Sequence, residues 1–188
     1  MNLTKEEEKF LLDIARRAIE YYFKTKNILE IKPQELPSEK MIQEKATFVT
    51  LYIKNVIRGC MGSIEPKRPL SLDVVHNALK AAFADQKFIE LKKDELPKIK
   101  ITISILDNIV KLKAKNSKQI LEKILPKVHG VIIRNGYQTS TYLPAVWNEL
   151  KKEQFLSELS EKVGLGKDGW KAEGVEIYTY ETYEFSEE

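Results

Sequence analysis

The run Thr47-Phe48-Val49-Thr50-Leu51-Tyr52-Ile53, followed after Lys54-Asn55-Val56 by Ile57-Arg58-Gly59-Cys60-Met61-Gly62, decides how the chain is read. Its β-branched and aromatic residues suit a pleated surface, so 48–53 is expected as a strand. A tight turn near Lys54-Asn55-Val56 then returns the chain to the same sheet. In the returning strand, alternation sets Arg58, Cys60 and Gly62 on one face and Ile57, Gly59 and Met61 on the other. Ile57 and Met61 suit a core, and Gly59 between them lets another backbone or side chain approach closely. The opposite face offers a guanidinium, a thiol and no side chain at Gly62. It is expected to floor a cleft.

Cys60 is the one cysteine of the chain. A free thiol ionises near ~8.5, so about 3% is thiolate at pH 7, and one unit of lowering would raise this to about 25%. Arg58 is the group that makes such lowering plausible. A catalytic reading takes Cys60 as nucleophile, Arg58 or backbone N–H groups as donors for developing negative charge, and His76, His129 or Glu65 as base. The plain alternative is that Cys60 packs as a small hydrophobe, since free cysteine is among the most buried residue types.

Composition narrows the classes. A chain of 188 residues can bury roughly 70% of its unfolded surface and fits a single domain, 1–188, with two sub-lobes. Basic residues number 31 and acidic residues 28, and a net charge of +3 is too small to indicate a polyanion partner. The charge is mostly Lys and Glu, which leans toward a heat-adapted, archaeal or thermophile-like source. A lone cysteine excludes an internal disulfide and suits a reducing cytosol. The start, Met1-Asn2-Leu3-Thr4-Lys5-Glu6-Glu7-Glu8, has no apolar signal core, and no apolar run approaches the ~18 residues of a membrane span. The expected location is cytoplasmic, without a membrane partner.

Outward from the opening stretch, the other elements follow in order. Thr4 with Glu7 makes a capping box for a first helix, whose apolar face is Phe10, Leu11, Ile14, Ala18 and Tyr22 and which ends near Lys26-Asn27. Residues 28–45, with Pro33 and Pro37, read as a long ordered loop. Prolines 66 and 69 stop the returning strand. A second helix follows, with Ser71 near its start and Leu72, Val75, Leu79, Ala82 and Phe83 on its apolar face. Ile99, Ile101, Ile103 and Ile105 alternate with polar residues as a half-buried strand. Ser117 is placed to cap a short helix through Leu125. Asn135-Gly136 supplies the positive φ values of a two-residue hairpin between 131–134 and 137–143. Helical stretches are expected from Pro144 to Leu150 and over 155–163 before Gly164, and a final strand over 175–185. Strands and helices without regular βαβ alternation argue for an α+β fold with a largely antiparallel sheet flanked by helices.

Several of these segments, taken together, resemble the AMMECR-domain family. They are Phe48-Val49-Thr50-Leu51, Arg58-Gly59-Cys60-Met61-Gly62, Asp85-Gln86-Lys87-Phe88, Glu95-Leu96-Pro97, His129-Gly130 and Thr139-Ser140-Thr141-Tyr142-Leu143-Pro144. The likeness runs from about Leu12 to Phe185. Departures are Met61 in place of the usual isoleucine, Gln86-Lys87 in place of proline or serine with arginine, and Trp147 after Pro144. Lys87 offers a point charge where arginine would offer a bidentate fork. The resemblance implies two lobes with a groove between them and the arginine-glycine-cysteine strand, the RGCxG motif, beside it. It names no reaction and no cofactor. Some members are fused to, or encoded beside, a Memo-type domain and a radical-SAM protein, which implies a partner of that kind. Others have been given regulatory roles in transcription, replication, repair or translation.

Two binding readings stand beside the catalytic one. A groove for a small molecule or protein segment would be lined by Arg58, Gly59, Cys60, Gly62, Asp85, Thr139, Thr141 and Tyr142. A nucleic-acid face would use Lys54, Arg58, Lys67, Arg68, Lys87, Lys92 and Lys93 with Tyr52 or Phe88 for stacking, against which the near-balanced charge argues. One cysteine and two histidines lack the paired spacing of a zinc site.

Overall fold

A computed structural model describes residues 2–148 and 150–188. Four helices, α1 (Lys5–Thr25), α2 (Leu70–Phe83), α3 (Ser117–Lys123) and α4 (Lys152–Lys162), accompany six strands. The strands are β1 (Thr47–Ile53), β2 (Val56–Gly62), β3 (Lys100–Lys111), β4 (Gly130–Asn135), β5 (Gln138–Tyr142) and β6 (Glu176–Ser186). They form one antiparallel sheet in the order β2-β1-β3-β6-β4-β5, and the fold is α+β. The chain divides into two compact units, one running to Leu106 and including Tyr183–Glu188, the other Asp107–Thr182. Among the described residues no helix is long and apolar enough to cross a membrane.

In the first unit the capping box is formed: Thr4 Oγ1 accepts the Glu7 N–H at 3.2 Å and Glu7 Oε2 accepts the Thr4 N–H at 2.7 Å. Leu11, Ile14, Ala15, Ala18 and Ile19 then recur three and four apart and bury one face of α1 against α2 and the sheet. The buried side of α2 is Leu70, Val74, Val75, Ala78, Ala81 and Ala82, whereas Leu72 is 37% exposed. The expected face was rotated because two polar residues also point inward. Asp73, 1% exposed, accepts at Oδ2 from the Thr47 N–H, the Thr47 hydroxyl, the Ser63 hydroxyl and the Asn77 amide. This knot ties α2 to the start of β1, so polar residues hold the helix down as firmly as apolar ones. On β3, Thr102 and Ser104 are as buried as the isoleucines between them, so this strand is not half-buried.

β1 and β2 join at Lys54 and Asn55, whose φ values of 51° and 64° make the tight turn a right-twisted hairpin needs. In the second unit the β4–β5 turn falls one residue later than expected. Asn135 pairs with Gln138, and Gly136, at φ 58°, takes the first turn position. α3 is capped by Asn116 rather than Ser117. The helical stretch expected from Pro144 to Leu150 is present as a short 3-10 helix over Pro144–Asn148, and Glu149 lies outside the described residues. The second core gathers Val131, Ile133, Leu156, Leu159, Trp170 and Ile177 around Trp147 stacked on Phe155.

Glu7 is buried and accepts hydrogen bonds from the Ser38 hydroxyl at 2.6 Å and the Lys40 ammonium at 3.0 Å besides the Thr4 N–H. Mainly through Ser38 and Thr4, its carboxyl is pulled down to about 2 from an ordinary 4.5. A depressed folded-state pKa contributes stability that is present above the ordinary value and is lost as pH falls through the folded one. The melting temperature should therefore fall between pH 4.5 and about 2, and Glu7→Gln should flatten that part of the profile. Thermal melts of both proteins across this range provide the check.

Candidate functional site

The register of β1 and β2 decides where the Arg58–Gly62 side chains go. Thr50 pairs with Cys60 and Leu51 with Gly59, but Tyr52 pairs with Ile57. Arg58 is left over as the extra residue of a β-bulge, which breaks alternation and re-aims side chains. Ile57 accordingly emerges 45% exposed instead of joining the core. The Arg58 guanidinium forms a two-pronged pair with Glu95 at 2.8 and 2.9 Å and donates to the carbonyls of Ile89 and Glu90 at 2.6 and 3.1 Å. It holds the Glu95 carboxyl below the usual carboxylate range. A guanidinium committed in this way is a clamp on the 89–95 loop, not an activator of the thiol.

Cys60 is half-buried, and its Sγ lies 3.2 Å from the Thr50 hydroxyl. Its backbone N–H donates to Asp85 Oδ2 at 2.8 Å, while Asp85 Oδ1 accepts the Lys87 N–H at 3.0 Å. Burial pushes the thiol pKa up. The Thr50 hydroxyl and the Lys87 charge oppose this, and the Asp85 and Glu184 charges add to it. The net direction is upward, away from a ready thiolate.

Burial first, then Arg68 and Lys80, lower the His76 pKa and Asp73 raises it; none of these three residues is among those acting on Cys60. His129 belongs to the second unit, where its ring accepts the Leu125 N–H at 3.2 Å. Glu65 pairs with Lys67.

The two glycines have packing roles. A β-carbon on Gly59 would lie 2.0 Å from the Ala81 carbonyl oxygen, so α2 crosses β2 at backbone contact. One on Gly62 would lie 2.3 Å from the Phe48 ring. The space at Gly62 is thus filled, not open.

Thr139, Thr141 and Tyr142 lie on β5 in the second unit. Thr139 is exposed. The Thr141 hydroxyl donates to the Val131 carbonyl at 2.9 Å and meets the Tyr180 hydroxyl at 2.8 Å. Tyr142 donates to Glu158 at 3.0 Å, with its ring against Phe155 and the Lys162 ammonium 3.6 Å from the ring centroid. Burial and Glu158 push its hydroxyl up to about 12. Thr141 and Tyr142 thus spend their polar atoms inside their own unit.

Sequence reasoning missed three residues: Thr50 as partner of the thiol, Glu95 as partner of Arg58, and Glu184 as a charge acting on Cys60. Thr50 could have been found from the hairpin register; nothing local marks the other two. Beside β2, the first unit also opens a cleft of about 540 Å3, lined by Arg58, Lys87, Phe88, Ile89, Lys92 and Glu95 among others. Among the described residues no group of three or more His, Cys, Asp and Glu side chains is placed to hold a metal ion.

An α+β protein built on a six-stranded antiparallel sheet is the class that the fold defines. The chain belongs to the AMMECR1 family, whose model matches residues 12–185. It is 37% identical to the protein MK0488 of Methanopyrus kandleri over 99% of this chain and 91% of that one. It is 35% identical to NEQ441 of Nanoarchaeum equitans, covering 95% and 99% respectively. The crystal structure of the uncharacterized protein PH0010 from Pyrococcus horikoshii superposes with a TM-score of 0.90 at 30% identity, over 99% of this chain and 94% of that one.

Two measurements check these assignments. Iodoacetamide should label Cys60 slowly at neutral pH, with its inflection above the free-thiol value of ~8.5. Asp85→Asn, which removes a charge that raises the thiol pKa, should move that inflection down. Gly59→Ala should cost about 1–3 kcal/mol in urea unfolding, because the obstacle is helix backbone, and Gly62→Ala less, because a ring can turn.

Proposed function

We propose that the chain is a binding protein whose ligand, a small molecule or a protein segment, docks in the cleft beside β2 around Arg58–Gly62. One observation carries the reading. Ile89 is 80% exposed in a cleft that also contains Lys87 and Lys92; neither forms a salt bridge among the described residues, the Lys92 charge acting on Glu95 without one, and Asp94 lines the cleft as well. A large exposed aliphatic beside two lysines without salt bridges suits a ligand with an apolar body and an anionic group. Arg58 supports this by gripping the carbonyls of Ile89 and Glu90, which pre-organises the cleft before a ligand arrives. A Memo-type or radical-SAM protein, which the family resemblance suggests as partner, is the first source of a protein segment to test.

Binding is better supported than thiol chemistry, since burial pushes the thiol toward its neutral form. It is better supported than nucleic-acid recognition too. Of the basic residues that would form such a face, Arg58, Lys67 and Arg68 pair with Glu95, Glu65 and Asp73.

A thermal-shift screen with nucleotides, acyl compounds and acidic peptides tests the reading. An acidic ligand with an apolar body should raise the melting temperature in proportion to the logarithm of its concentration above Kd, with about 2.7 kcal/mol of added stability at 100 times Kd. Combined Lys87→Ala and Lys92→Ala should remove most of that shift. Equal shifts in the parent and the variant would reject the cleft.

A further inference from the structure

The second unit contains a cleft of about 380 Å3 that the reading above does not use. Leu112, Ile120, Val175 and Ile177 supply its apolar lining, and Lys115 and Lys171 its cations. Trp170 also lines it and is 2% exposed, with its indole N–H buried and without a hydrogen-bond partner. The contrast with the other tryptophan is direct, because the Trp147 N–H donates to the His129 carbonyl at 2.5 Å. A buried donor left unsatisfied costs about 1–3 kcal/mol, and buried indoles ordinarily have a partner.

Several other polar groups of the cleft are engaged. Asn116 Oδ1 accepts the Gln119 N–H at 3.0 Å, and the Lys115 N–H goes to the Gln119 side chain at 2.9 Å. Lys171 pairs with Asp168 at 2.5 Å while its ammonium lies over the Trp170 ring, 5.1 Å from the centroid. Lys115 is exposed and forms no ion pair among the described residues. The cleft therefore combines an apolar lining with one unused donor and one unused cation.

We propose that this cleft binds a small carboxylic acid with a short aliphatic body. The carboxylate supplies the acceptor that the Trp170 N–H lacks and a counter-charge for Lys115, while the chain covers Leu112 and Ile120. The Lys171 ammonium lies over the indole ring, and the buried N–H comes within reach of the ligand as the side chains around it shift. Glu173 on the same lining disfavours a more highly charged anion such as phosphate.

The test uses the two indole N–H signals in the 15N-correlated NMR spectrum of the full chain, assigned with Trp147→Phe. Hexanoate is titrated to roughly 50 mM, above the millimolar Kd expected of so small a ligand. The Trp170 signal should move downfield and saturate while the Trp147 signal stays. Lys115→Ala should weaken the apparent affinity about fivefold, the worth of one exposed ion pair. Hexanol and inorganic phosphate should leave the signal in place. An unmoved Trp170 signal, a shift shared equally with Trp147, or one indifferent to Lys115→Ala would overturn the proposal. Lys87 and Lys92 belong to the other unit, so their substitution should leave this titration unchanged.

Discussion

The carbonyl of Ala81 sits where a β-carbon on residue 59 would have to be, and much of the first unit follows from that contact. α2 can lie this close to β2 only over a residue without a side chain. One and two turns earlier, Asn77 and Asp73 bind Thr47 and fix the same helix to β1. With the helix pinned at both places, the chain that leaves it has one course, along the outer edge of β2. The Leu91 N–H donates to the Ala82 carbonyl at 2.7 Å and holds the returning loop in place. Asp85 then meets the Cys60 N–H, and Arg58 meets the Ile89 and Glu90 carbonyls.

That arrangement answers a problem every edge strand has. An uncovered edge presents unpaired N–H and C=O groups that can recruit another strand. Here a carboxylate takes a main-chain N–H and a bulge disrupts the ladder, two devices that blunt an edge without a further strand. Strand addition at this edge is accordingly disfavoured.

Local signals were legible in the sequence and long-range ones were not. The first helix, its capping box and the β1–β2 hairpin were read correctly because each depends on residues within one turn of the others. The face of α2 was misjudged because Asp73 and Asn77 look like solvent-facing residues until Thr47 and Ser63 are brought beneath them. Arg58 was placed next to the thiol by a period of two, and a single bulged residue was enough to undo that. The bulge has no composition of its own; it is visible only in the partner strand's register. Asn135-Gly136 was found as a turn but displaced by one residue, because Gly136 alone supplies the positive φ. Glu95 and Glu184 lie 37 and 124 positions from their targets, and no periodicity links such residues.

The residues that carry the family likeness are, in this chain, mostly consumed by the fold. Gly59 and Gly62 make room, Arg58 and Asp85 seal an edge, and Thr141 and Tyr142 bond within their own unit. A signature of this kind describes how the polypeptide is held, so it ranks poorly as a map of chemistry. The thiol illustrates the point. Ionising Cys60 would place a negative charge beside Asp85 and Glu184 with Lys87 as the one opposing cation. The site resists that step and keeps the sulfur as a neutral neighbour of the Thr50 hydroxyl. What remains uncommitted is less conspicuous: a bare isoleucine, two lysines that form no salt bridge among the described residues, and an indole N–H without an acceptor. Groups whose bonding is incomplete are where a ligand can contribute free energy; in the first unit they border the motif residues Arg58 and Phe88, and Lys87 is itself one of them.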